Sequence, residues 1–165
     1  MIQNTLIEHL KQGNACVGII GLGYVGLPLT LRFAQTSCQV IGFDIDEEKI
    51  GLLNKGKSYI KQIDHKRIED ALQQKLALST DFSRVKECDA LIICVPTPLT
   101  KHFEPDLSYV RLTMEQILPY LRKGQVVSLE STTFPGTTEE LIVPRIEKLG
   151  FTVGEDIFAV YSPER

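Results

Sequence analysis

The 165-residue sequence has no apolar stretch approaching the 18 or so residues that a membrane span requires. It has no basic excess either: 18 Lys and Arg stand against 21 Asp and Glu, a net charge of −3. That balance argues against a general nucleic-acid binder, whose surface would be basic. The four cysteines, Cys16, Cys38, Cys88 and Cys94, form no CxxC and no Cys/His set at zinc spacing. Cys16 and Cys94 lie in apolar runs, so reduced core thiols and no metal site are expected. Met1–Lys11 lacks a basic n-region with a small-residue cleavage site and does not read as a signal peptide. A cytoplasmic protein is expected. No repeat or low-complexity linker interrupts the chain, and its length suits a single domain spanning 1–165.

What is present is an alternation of short apolar runs with amphipathic segments. The runs Ala15–Ile20, Gln39–Asp44, Leu76–Ser79, Asp89–Val95, Gln125–Glu130 and Asp156–Val160 read as strands, the most apolar of them buried on both faces. Between them, helices are expected over Leu27–Thr36, with Val25, Leu29 and Phe33 on one face, and over Glu47–Asn54 behind an Asp46 cap. Further helices are expected over Lys66–Lys75, from an Asp106 cap through Leu121, and over Glu139–Leu149; Thr5–Lys11 can form a short one at the start. Asp81 or Ser83 can cap a single turn. The pattern predicts an α/β fold with a doubly wound, mostly parallel sheet of the Rossmann type. Right-handed crossovers would then bring the strand ends Ile20, Asp44, Val95 and Glu130 to one edge.

Gly21-Leu22-Gly23-Tyr24-Val25-Gly26 is a GxGxxG sequence that follows a strand and opens a helix. Gly21 permits the tight turn, Gly23 leaves room for a pyrophosphate, and Gly26 lets helix and strand approach. The helix start supplies amides and a positive dipole end to the phosphates. Asp44 ends the second strand near the offset of about 20 residues at which an acid binds the ribose hydroxyls of NAD. A carboxylate there would repel a 2′-phosphate, so NAD is favoured over NADP. Lys49, close behind, offers an opposing positive charge or is simply solvated.

Three clusters follow later strand ends. Val95-Pro96-Thr97-Pro98 fixes a backbone turn and offers the Thr97 hydroxyl to ribose or phosphate, or is only a rigid turn. Glu130-Ser131-Thr132-Thr133-Phe134-Pro135-Gly136 carries three adjacent hydroxyls, able to bind ribose, water or substrate, or to cap the next helix. Ser162-Pro163-Glu164-Arg165 brings a carboxylate towards the same edge.

Taken in order, GLGYVGLPL, Asp44, VPTP, ESTTFPGTTEE and YSPER resemble the N-terminal half of the UDP-glucose/GDP-mannose dehydrogenase family. The last two are most similar to the branch acting on UDP-N-acetylated hexosamines. The resemblance implies an oxidoreductase that takes the C6 alcohol of a nucleotide sugar to the carboxylate with two NAD, through an enzyme-bound thioester, in polysaccharide biosynthesis. By position it implies that Gly21, Gly23, Tyr24, Val25 and Gly26 form the pyrophosphate loop and that Asp44 and Lys49 contact the adenosine ribose. Thr97, Ser131 and Thr132 fall near the nicotinamide. Thr132 matches a threonine that helps hold a catalytic water, and Glu164 the acid of thioester hydrolysis.

The family's nucleophilic cysteine lies in a glycine-rich segment that this chain does not contain. Nor does the chain contain the central dimerising helix or the C-terminal UDP-binding domain of the family. A piece of a larger, homodimeric or higher-order enzyme is therefore expected, inactive by itself, meeting its UDP-sugar through that missing half. Two other readings remain at this point: another NAD-dependent hydroxyacid-type dehydrogenase, and a stand-alone NAD-binding module without catalysis.

Overall fold

The computed structural model describes residues 2–163. Six strands, β1 (Cys16–Ile20), β2 (Gln39–Phe43), β3 (Leu76–Ser79), β4 (Ala90–Ile93), β5 (Val126–Leu129) and β6 (Phe158–Tyr161), form one sheet in the order β3-β2-β1-β4-β5-β6. Every neighbouring pair is parallel. This is the doubly wound order, with its switch point between β1 and β4.

The alternation within β1 shows why the strand reads as a continuous apolar run. Val17 and Ile19 belong to one core with Leu27, Leu31, Leu53 and Ile68, and Cys16 and Ile20 to the other with Val110, Met114, Ile142 and Ile146. The first core is roofed by α2 (Gly26–Ala34), α3 (Glu47–Asn54) and α4 (His65–Gln73), and the second by α5 (Ser108–Ile117) and α6 (Val143–Glu147). A further helix, α1 (Ile2–Gln12), precedes β1. Asp46 caps α3, accepting from the amides of Glu48 and Lys49, and Asp64 and Asp81 cap α4 and the 3-10 turn Phe82–Glu87 in the same way. All four cysteines are buried.

Four local expectations need correction. In α2 the buried stripe is Leu27, Thr30, Leu31 and Ala34; Val25 lies before the first turn and is exposed, while Leu29 and Phe33 only flank the core. The phase is set by where the helix begins, at Gly26. Helix α5 ends at Ile117 and gives way to a 3-10 turn, Leu118–Tyr120, because Pro119 has no N–H to continue the ladder. Asp106 still accepts the Ser108 amide at 2.9 Å, one position outside the residue that starts the helix. The helix expected over Glu139–Leu149 is present but changes form part-way and ends at Glu147. Pro144 cannot bond to Glu140, and the preceding turn widens into a π-helical segment, Thr138–Ile142, before α6. Finally, β6 begins at Phe158, two residues later than expected.

At the N-terminal edge of the sheet the polar groups close on one another. Asp89 accepts from the Cys16 amide at 3.0 Å and from Arg122 Nη2 at 2.8 Å. The fully buried Gln125 side chain donates to the carbonyls of Val85 and Cys88 and accepts the Arg122 amide.

Candidate dinucleotide site

At the opposite edge the parallel ladders run one residue past each strand. The Gly21 amide donates to Phe43 O at 2.8 Å, Cys94 to Ile20 O at 2.8 Å, Glu130 to Ile93 O at 2.9 Å and Ser162 to Leu129 O at 3.0 Å. These bonds bring the start of each functional cluster to one line. Gly21 has φ +91 and turns the chain sharply out of β1. A Cβ on Gly26 would lie 1.8 Å from Gly21 O, so helix and turn touch backbone to backbone. A Cβ on Gly23 would meet nothing within 4 Å: its outer side is open space. Among the described residues no acceptor takes the amides of Gly23, Tyr24 and Val25, as the first turn of a helix dictates. Open space against backbone amides at a positive dipole end fits a pyrophosphate. Tyr24 is 79% exposed beside it.

Asp44, buried, holds the loop from the next strand. Its Oδ2 accepts the Leu22 amide at 2.9 Å and its Oδ1 the Asp46 amide at 3.0 Å. Each carboxylate oxygen has a further lone pair able to accept a hydroxyl. Lys49 Nζ stands 3.9 Å from both Asp44 Oδ2 and Asp46 Oδ2. The ammonium is thus shared between two carboxylates.

The clusters after β4 and β5 are laced together. Ser131 Oγ donates to Val95 O at 2.7 Å, and Thr97 Oγ1 donates to Thr132 O at 2.7 Å. The hydroxyl protons of Ser131 and Thr97 therefore join the two loops, while the Thr132 side chain is exposed. Ser128 Oγ donates to Glu130 Oε1 at 2.7 Å. The Thr133 amide donates to the Tyr161 hydroxyl at 3.3 Å. Glu164 lies outside the described residues.

These contacts make one constellation of Gly21, Gly23, Tyr24, Val25, Gly26, Asp44 and Lys49, and a neighbouring one of Thr97, Ser131 and Thr132. The NAD binding domain profile of the UDP-glucose/GDP-mannose dehydrogenase family matches residues 15–165. The chain belongs to that family. Its cofactor is accordingly NAD, and the glycine loop and helix start described above fit that group. The UDP-N-acetyl-D-glucosamine 6-dehydrogenase of Pseudomonas aeruginosa is 40% identical over 150 residues, covering 90% of this chain and 35% of that protein. The solved UDP-N-acetyl-mannosamine dehydrogenase Cap5O of Staphylococcus aureus superposes with a TM-score of 0.84 at 38% identity, over 92% of this chain and 37% of that one. The GDP-mannose dehydrogenase of Pseudomonas aeruginosa, solved as a ternary complex, gives 0.85 at 33% identity, over 90% and 36%. This family member thus spans about a third of the length of these relatives.

Two residues at the edge escaped the sequence reading. Tyr59, in the segment between α3 and α4, donates its hydroxyl to Leu22 O inside the glycine loop. Nothing in the polar stretch around it has a period or motif that would have singled it out. Thr133 is one of three adjacent hydroxyl residues after β5, and the sequence does not distinguish it from its neighbours. Its Oγ1 is buried and has no hydrogen-bond partner among the described residues, a costly state for a hydroxyl.

Proposed function

We propose that this domain holds NAD for a UDP-sugar 6-dehydrogenase, acting on a UDP-N-acetylhexosamine and taking its C6 alcohol to the carboxylate with two NAD. The observation that carries the reading is the glycine loop locked to Asp44 at the switch point of the sheet. The substrate class is supported by the names of the most similar relatives. The reaction of the whole protein, its setting in cytoplasmic polysaccharide biosynthesis and its assembly as a homodimer or larger belong to the same proposal.

In this reading residues 1–165 are one dinucleotide-binding domain, working with a central dimerising helix and a C-terminal UDP-binding domain. The amides of Gly23, Tyr24, Val25 and Gly26 hold the pyrophosphate. The free lone pairs of Asp44 take the adenosine ribose hydroxyls, and a 2′-phosphate would meet that carboxylate at close range. Lys49 stays between Asp44 and Asp46 and fixes the carboxylate it faces. Bound NAD supplies a hydride acceptor. Thr97 and Ser131 keep the loops after β4 and β5 in register beside the nicotinamide half, and Thr132 orients a water there. Glu164 acts as the acid–base group of thioester hydrolysis. The nucleophilic cysteine comes from outside these residues, because the four thiols here are buried core groups, and buried structural thiols are inert.

Calorimetric titration of the purified chain with NAD and with NADP tests the cofactor assignment; equal or tighter NADP binding would overturn it. The substrate reading is tested by NADH absorbance with UDP-glucose, UDP-N-acetylglucosamine and UDP-N-acetylmannosamine. The 165-residue chain is expected to give no steady turnover. Turnover that disappears in Cys94→Ser would show the nucleophile to be here after all.

A further inference from the structure

The backbone of Leu22 is gripped on both sides of its Cα. Its N–H donates to Asp44 Oδ2 at 2.9 Å, and its C=O accepts from the Tyr59 hydroxyl. Leu22 is itself fully buried and lies between the first two glycines of the loop. The ring of Tyr59 makes a second contact. Lys49 Nζ lies 5.9 Å from its centroid, over its face, within range for a cation–π interaction. The same ammonium faces Asp44 and Asp46. One side chain from a segment outside the β1–α2–β2 unit therefore touches both the pyrophosphate loop and the lysine beside the ribose acid.

We infer that Tyr59 is a positioning residue, whose hydroxyl sets the geometry of the pyrophosphate loop and whose ring seats Lys49. The inference rests on the dinucleotide reading of this site. The loop needs such a brace because its amides must converge on one phosphate pair, and Gly21 and Gly23 on either side of Leu22 leave the backbone free to move. Asp44 holds the Gly21–Leu22 peptide plane and Tyr59 the Leu22–Gly23 plane, so the two planes that flank Leu22 are each fixed from outside the loop. The hydroxyl is suited to this role because it stays protonated: burial raises its pKa well above that of an ordinary tyrosine, and the carboxylates of Asp44 and Asp46 raise it further. Its proton is thus held more tightly than that of an ordinary tyrosine.

The two contacts separate by substitution. Tyr59→Phe removes the hydroxyl and keeps the ring; Tyr59→Leu removes both. Binding of NAD, ADP-ribose and adenosine to the purified chain is measured by calorimetry, directly or by displacement, with thermal melting as a check on folding. Tyr59→Phe is expected to weaken NAD and ADP-ribose alike, on the order of 3- to 10-fold, as the loss of one hydrogen bond implies. Adenosine, which has no phosphate, should bind it as it binds the wild type. Tyr59→Leu should weaken adenosine as well. A general structural role would weaken all three ligands together in Tyr59→Phe, and that result, or unchanged NAD binding in a folded Tyr59→Phe protein, overturns the inference. If the wild-type chain fails to bind NAD, the dinucleotide reading itself falls.

Discussion

The two edges of the same sheet are built on opposite plans. At the N-terminal edge Asp89, Arg122 and Gln125 saturate one another and the backbone around them. At the C-terminal edge the amides of Gly23, Tyr24 and Val25 and the hydroxyl oxygen of Thr133 are left without protein partners among the described residues. One edge closes on itself and holds the strands in register. The other keeps donors and acceptors for a ligand and is braced by Asp44, Tyr59, the ladder bonds and the Ser131 and Thr97 hydroxyls. The contrast teaches that the parallel fold does not itself make a site. Polar side chains can be used up at one end of the strands and withheld at the other.

The sharpest way to break the contrast is to damage the closed and open edges separately. Gly26→Ala places a Cβ against Gly21 O, where neither backbone can yield. It should cost about 3 kcal/mol of stability and abolish measurable NAD binding; a variant of wild-type stability that still binds NAD would contradict the close approach. Gln125→Leu removes its bonds to the Val85 and Cys88 carbonyls, which keep the Cys88 amide and Arg122 Nη2 as donors, and leaves the Arg122 amide without its acceptor. Urea unfolding should lose about 2–3 kcal/mol, while the NAD dissociation constant of the folded protein stays the same. A matching loss of affinity would mean that the two edges are coupled. Asp44→Ala should do the reverse in part: NAD binding weaker by about 1–3 kcal/mol by calorimetry, with a narrowed preference over NADP. Unchanged selectivity would remove Asp44 from the discrimination.

The smallest effect is one of pH. The carboxylates of Asp81 and Asp106 accept the Ser83 and Ser108 hydroxyls and amides, which holds their pKa below the ordinary 3.8. A depressed folded pKa gives stability that is present above the unfolded value and lost as pH falls through the folded one. The double variant Asp81→Ser, Asp106→Ser keeps a capping oxygen that does not titrate. Its urea midpoint should match the wild type at pH 7 and fall less steeply between pH 4 and pH 2. An identical acid slope would show that other carboxylates govern it.

Much of the open edge was legible because its signals are local. The strand of β1, the three glycines and Asp44 lie within one βαβ span, and each does a job that its residue type alone suggests. The Asp46 cap of α3 is local in the same sense. What escaped is set by distance or phase. Tyr59 reaches Leu22 from a segment without periodicity, and the Gln125 network joins residues far apart in sequence. The buried stripe of α2 depends on the residue at which the helix starts, which the spacing of Val25, Leu29 and Phe33 does not reveal. Pro144 is visible in the sequence, and its missing N–H accounts for the π-helical turn in the helix expected over Glu139–Leu149.

The strand order also bears on how the chain acquires its shape. β1 lies at the middle of the sheet and precedes the other five described strands in the chain. One neighbour, β2, follows soon after, but the other is β4, and Cys16 and Asp89, bonded across that boundary, are 73 residues apart. Throughout translation of that interval one side of an apolar strand has no native neighbour, and exposed strand edges invite pairing with other chains. Closing so long a loop is also slow compared with forming a hairpin or a helix. The central position that buries β1 so completely in the finished protein makes it the strand most in need of protection on the ribosome.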